Sequence, residues 1–206
     1  EITISKPFLI GKFEITQRIY ESVMGNNPSI PVSVMLPVVN VSWGDAIQFC
    51  NNLSKIHGLT PFYIITGADV LTKADANGWR LPTEAEWEYA CRAGSTGDFA
   101  GSGIIDDFGW YADNSGLKLH PPGSKKANSF GLYDMHGNCR EWCWDFFSPT
   151  YYSISPVVDP KGPSDGLNHV LRGGSWLDGK NILRSSNRLT PDNTINNVGF
   201  RIVRYF

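Results

Sequence analysis

The sequence predicts an α+β fold in which two capped helices pack on a small sheet and much of the remaining chain is ordered loop. Three observations predict it. Two helix starts carry full capping signatures, and the first and last segments are both β-like. The third is composition: 21 Gly, 13 Pro, seven Trp and eleven Phe in 206 residues describe a turn-rich chain whose core is built from aromatic rings more than from long aliphatic helices.

The elements follow in chain order. Glu1 to Glu14 reads as β, and a short helix covers Thr16 to Met24. Ser42 is an N-cap with Asp45 three residues on, and Trp43, Ala46, Ile47, Cys50 and Leu53 recur at helical spacing until Gly58 offers a left-handed stop, a helix of about fifteen residues. In the second long helix Leu81-Pro82 leads into Thr83 as N-cap, Glu86 closes the capping box, and Trp87, Ala90 and Cys91 share one apolar face before Gly94. Gly94 to Phe130 and Phe146 to Asn168 read as packed loops. Val170 to Arg172 and Phe200 to Tyr205 are β-like, so the two ends of the chain are expected to meet.

Composition excludes several classes. A net charge of -2 with no Lys/Arg run gives no field to gather nucleic acid. The longest apolar stretch, Ile30 to Val39, is broken by Pro31 and Pro37 and is far too short to span a bilayer. The four cysteines lack zinc-site spacing and leave two disulfides or four buried thiols open. His57, His120, His136 and His169 are scattered, and Ser175 after Gly173-Gly174 is followed by Trp176, which breaks a nucleophile elbow.

Five blocks then carry a resemblance: Phe13 to Gln17 with Met24 to Ser29, Pro37 to Trp43, Trp79 to Ala90, Gly131 to Asn138, and the closing Arg172-Gly173-Gly174-Ser175-Trp176, Arg184 to Arg188 and Gly199-Phe200-Arg201. In this order they resemble the formylglycine-generating-enzyme (sulfatase-modifying factor) family almost end to end. The resemblance implies a C-type-lectin-like fold over residues 1–206 and, for the family's enzymes, oxidation of a sulfatase cysteine by a cysteine pair carried after the Gly-Gly-Ser block. The chain departs there: nothing between Gly173 and Phe206 is a cysteine, so no thiolate pair and no redox cofactor are expected. The family's calcium segment maps to Asp134 and Glu141 as side-chain ligands, with the carbonyls of Met135, Gly137 and Cys139 between them. A structural Ca2+ is one expectation. The other is that Asp134 and Glu141 cap local N–H groups or pair with Arg140.

A second resemblance concerns what lies between the closing blocks. The variable proteins of diversity-generating retroelements place a variable region at the C-terminal end of a C-type-lectin-like scaffold, where adenines of AAC-type codons are replaced. His169, Leu177, Asp178, Gly179, Asn181, Ile182, Leu189, Thr190, Asn193, Ile195 and Asn196 are all reachable from AAC; Lys180 is not. On this resemblance residues 169–197 form a diversifiable surface that binds a protein or surface ligand, and the chain is a non-enzymatic display protein at the cell surface or secreted, with an upstream lipid anchor as one route. The alternative is a family member with an accessory or unknown enzymatic activity.

Overall fold

The computed structural model describes residues 2–101, 103–192 and 194–206. Among them are nine short strands and four α-helices: β1 (Phe8–Ile10), α1 (Gln17–Met24), α2 (Trp43–Ile56), β2 (Tyr63–Thr66), β3 (Asp69–Thr72), α3 (Glu84–Arg92), α4 (Ile105–Phe108), β4 (Gly109–Trp110), β5 (His136–Gly137), β6 (Arg140–Phe146), β7 (His169–Arg172), β8 (Val198–Gly199) and β9 (Val203–Tyr205). The mixed α+β character with much loop agrees with the reading of the sequence. The ends do meet, since β1 pairs antiparallel with β9 through Phe8–Tyr205 and Ile10–Val203.

Each long helix begins where its cap dictates. Ser42 accepts from the Asp45 N–H at 3.1 Å while Asp45 accepts from the Ser42 N–H at 2.9 Å. Thr83 and Glu86 make the same reciprocal pair at 3.2 and 2.8 Å. Such a cap satisfies two orphan donors and is worth about 1 kcal/mol. The stops lie slightly earlier than expected: α2 is capped by His57 and not Gly58, and Ala93, at φ 44°, takes the left-handed position of α3 one residue before Gly94.

The central sheet is β7-β6-β8, with β6 antiparallel to β7 and parallel to β8. Its inner face meets α1 and α2 around Phe200, which packs edge-on against Phe49 at 5.2 Å and Tyr20 at 6.3 Å. A second core lies under α3, where Trp87, Ala90 and Cys91 meet Met135, Cys143 and Val170. All four cysteines are buried free thiols.

Charge, as well as apolar packing, closes this core. The Arg201 guanidinium is fully buried, and its Nε and Nη2 donate to the two oxygens of Glu141, each at 2.6 Å. Nη1 donates to the Gly11 carbonyl and Nη2 also to the Tyr133 carbonyl, both at 3.0 Å, while the Trp87 indole N–H donates to Glu141 at 2.7 Å. Two further buried carboxylates stand beside this pair. Desolvation, then the neighbouring Asp134 and Glu141 charges, raises Glu14 well above the usual range, and desolvation raises Asp134 to about 6.

His136 is locked as well. Its Nδ1 donates to the Leu183 carbonyl at 2.7 Å and its Nε2 accepts the Ala100 N–H at 3.0 Å, which fixes the neutral tautomer and ties the 99–100 loop to the 180–183 turn. Burial pushes its pKa down to about 4.

Two outcomes follow from this core. Arg201→Met leaves Glu141 buried without its cation, and Glu141→Gln leaves Arg201 so; either should cost about 3–5 kcal/mol in urea unfolding, against about 1 kcal/mol for Thr83→Ala. Equal losses from all three would remove the ion pair from its central place. The imidazole signals of His136 should titrate in NMR with a midpoint near pH 4. Because the folded-state value is lowered, its contribution is intact above the unfolded value of about 6.5 and falls as the pH drops towards 4, by roughly 3 kcal/mol in all. Asp134 acts with the opposite sign: its raised pKa costs stability as pH rises from about 3.8 through 6. A His136 midpoint at 6.5 would mean that the ring is not held neutral.

Candidate functional site

The closing blocks of the sequence are interior. Arg172, Gly173, Gly174, Ser175, Trp176, Ser185, Phe200 and Arg201 are all buried. Arg172 donates to the Ser185 carbonyl at 2.8 Å, to the Asn187 carbonyl and to Glu88, and lies over the Trp87 ring. Arg188 clamps Glu84 through two bonds of 2.6 and 2.8 Å and also holds the Ser148 carbonyl. Arg184 and Ser186 depart from this pattern: both are exposed, and the Arg184 Nε bonds the Asn181 carbonyl three residues back at 3.1 Å.

Between these anchors the chain comes to the surface. Leu177 is 46% exposed, and Gly179, Asn181 and Asn196 are exposed as well. Arg140, on β6, gathers the two loops: its Nε and Nη2 donate to Asp178 at 3.0 and 2.8 Å, its Nη1 to Asp192 at 3.0 Å, and its backbone N–H to the Asn197 carbonyl at 2.9 Å. Ser175 reinforces the join, donating to Asp178 at 2.8 Å and accepting from Asn197 at 3.0 Å. Asp178 and Asp192 therefore share one guanidinium, which joins the loop of Leu177 to the loop that leads to Asn196; Asn193 falls outside the described residues.

Other residues expected on this surface face elsewhere. Ile182 is half-buried against Ile105, Tyr111 and Leu183, and Leu189 and Ile195 are half-buried against the main core. Leu189 also exchanges backbone bonds with Leu171 at 2.9 and 3.0 Å, so it extends the sheet; Thr190 beside it is half-buried. His169 lies opposite Phe146, six residues along β6 from Arg140, a strand distance of about 20 Å. It is the middle ring of a stack, 3.7 Å from Trp43 and 4.2 Å from Phe146, and its Nδ1 bonds the Trp144 carbonyl. Burial pushes its pKa down to about 4.

The calcium donors are only partly arranged for an ion. Asp134 accepts the Gly123 N–H at 2.6 Å and keeps a buried Oδ1 without a partner, as a ligand would. Glu141, however, is engaged by Arg201 and Trp87, so its oxygens are not free for a metal ion, and it does not pair with Arg140, which lies next to it in β6 but bonds Asp178. The Met135 carbonyl faces the Cys91 thiol at 3.7 Å. No group of three or more His, Cys, Asp or Glu converges on a metal-sized site among the described residues. Taken together, the donor set does not fit Ca2+.

Thiol chemistry fares similarly. Burial raises all four cysteines, Cys91 to about 12, so each is held as the unreactive thiol. Arg140 was the functional residue hardest to find in the sequence, because nothing in Arg140-Glu141-Trp142 says which of its neighbours it pairs with. No helix is long and apolar enough to cross a membrane among the described residues.

Comparison with known proteins matches this architecture to one family. The model of the sulfatase-modifying factor enzyme 1-like domain matches residues 1–206. The chain is 35% identical to Chaperone protein LppX of Paenibacillus barcinonensis, over 98% of this chain and 81% of that protein. It is 38% identical to the formylglycine-generating enzyme of Streptomyces coelicolor over 80% of this chain, but spans only 51% of that enzyme's length. Among solved structures, Treponema denticola variable protein 1 superposes with a TM-score of 0.92 at 33% identity, covering all of this chain and 86% of that one. Its fold is thus that of the formylglycine-generating enzymes, and the chain belongs to the sulfatase-modifying factor enzyme 1-like family.

Proposed function

We propose that this chain is a non-enzymatic binding protein that meets its ligand, a protein or another surface molecule, with the two loops joined at Arg140. One observation carries the reading: the blocks 172–176 and 199–201 are buried, while the residues between them supply the exposed side chains of Leu177, Asn181 and Asn196. Changing these side chains alters the surface without touching a packed contact, and a surface held by buried arginines needs no ordering on binding. Similarity to a variable protein supports the same division between scaffold and surface. The binding residues are then fewer than the sequence suggested. Leu177, Gly179, Asn181 and Asn196 remain on the outer side, Asp178 and Thr190 are half-buried, and His169, Ile182, Leu189 and Ile195 act by packing. A display role places the chain at the cell surface or among secreted proteins.

Two measurements test the proposal. Mixed with a sulfatase-type cysteine peptide and copper, the protein should give no formylglycine by mass spectrometry, since no exposed thiol is available; turnover above a no-protein control would make it an enzyme. A library varied at Leu177, Asn181 and Asn196 should keep its members within about 0.5 kcal/mol per substitution of the parent stability and yield binders to unrelated proteins. If most members fail to fold, the loops are scaffold and not surface.

A further inference from the structure

At the other end of β6 the β2–β3 hairpin and residues 161–164 enclose two adjoining concavities that share Thr72, Trp144 and Lys161. Their volumes are about 280 and 350 Å3, which together fall in the roughly 300–1,000 Å3 range of small-ligand sites. The inner surface is aromatic. Trp144, stacked on Tyr63 at 5.2 Å, runs through both spaces, with Tyr205 on one side and Trp43 and Phe146 on the other.

The rim is cationic. Lys6, Lys73 and Lys161 line the same space, all three are exposed, and none of their ammonium groups has an ion pair or hydrogen bond among the described residues. Lys6 lies 5.6 Å from the centroid of the Tyr205 ring, and Lys161 and Lys6 attract the Asp159 carboxylate at longer range. Arg80 beneath them is already neutralised by Glu86, with two bonds of 2.7 Å, and its Nε finds no acceptor. Against three ammoniums without a direct ion pair stand Asp75 in the wall and Asp159 at the edge, the latter bonded to the N–H and hydroxyl of Ser5 and within the field of Lys161 and Lys6. On a chain of net charge -2 this is a local positive excess in a cleft, where low-dielectric walls concentrate the field. Lysine binds sulfate and phosphate oxygens as a point charge, and three ammoniums along one rim suit a ligand that carries several such groups. Half-buried rings beside such charges offer a face to the flat, apolar side of a sugar.

We propose that this groove binds a saccharide-like polyanion carrying sulfate or phosphate esters, with its rings against Trp144 and Phe146 and its oxyanions among Lys6, Lys73 and Lys161. The groove is separated from Arg140 by the length of β6, so the site is independent of the loop surface.

Titration calorimetry with sucrose octasulfate, inositol hexakisphosphate and unmodified sucrose tests it. One or both polyanions should bind saturably at one per chain and sucrose should not, and whichever binds identifies the ester. Binding should weaken with added salt. Lys73→Glu with Lys161→Glu should weaken it about tenfold or more, while the charge-matched pair Lys55→Glu with Lys118→Glu, away from the groove, should change it less than about twofold. Circular dichroism checks that both doubles remain folded. Failure of both polyanions to bind, or equal weakening by the two doubles, would overturn the site.

Discussion

Arg201 is the residue on which the rest of the chain is arranged. Its guanidinium has no access to water, so every donor must find a protein acceptor. The acceptors come from distant parts of the sequence: Glu141 of the central strand, the Gly11 carbonyl beside the first strand, and the Tyr133 carbonyl of the loop before β5. Trp87 of α3 completes the set through Glu141. One buried charge therefore fixes both ends of the chain, the main sheet and a helix at once. A hydrophobic residue in its place could fill the volume but could not specify that arrangement.

Carboxylates crowd this point. Glu14 accepts from the Asn138 side chain at 2.8 Å and from the Cys139 N–H at 3.1 Å, and Asp134 closes the 123 loop. Burial first, and then repulsion among three acids gathered around a single guanidinium, raises both Glu14 and Asp134. The segment from Asp134 to Glu141 thus keeps an acidic framework like that expected of a calcium loop, with its second carboxylate committed to an arginine.

How far the sequence was legible depended on whether the signal was local. The caps at Ser42 and Thr83 are local chemistry, and both helices begin where those residues say; the short helix read from Thr16 starts at Gln17, with Thr16 as its cap. The β2–β3 hairpin was missed although Tyr63 to Thr66 and Asp69 to Thr72 flank Gly67-Ala68, a two-residue turn signature. β6 was hidden for a physical reason. It is covered on both faces, and its acids are buried by partners distant in sequence: Glu141 by Arg201, and Asp145 by the Glu84 N–H. No period-two alternation survives such burial. In the C-terminal region, composition alone could not separate exposed Leu177 from half-buried Ile182 and Leu189, since AAC-reachable codons supply both kinds of side chain.

The Arg140 clamp has a consequence for any repertoire built on this scaffold. Asp178 and Asp192 belong to different loops but neutralise the same guanidinium, whose pKa is raised by the Asp178 bond first of all. The two loops are therefore not independent digits of a code. An acid lost from one loop makes the acid of the other more valuable, and a chain that loses both leaves a largely buried cation between its loops. Workable combinations form a correlated subset, and selection on this surface would act on pairs of positions across the gap as well as on single sites.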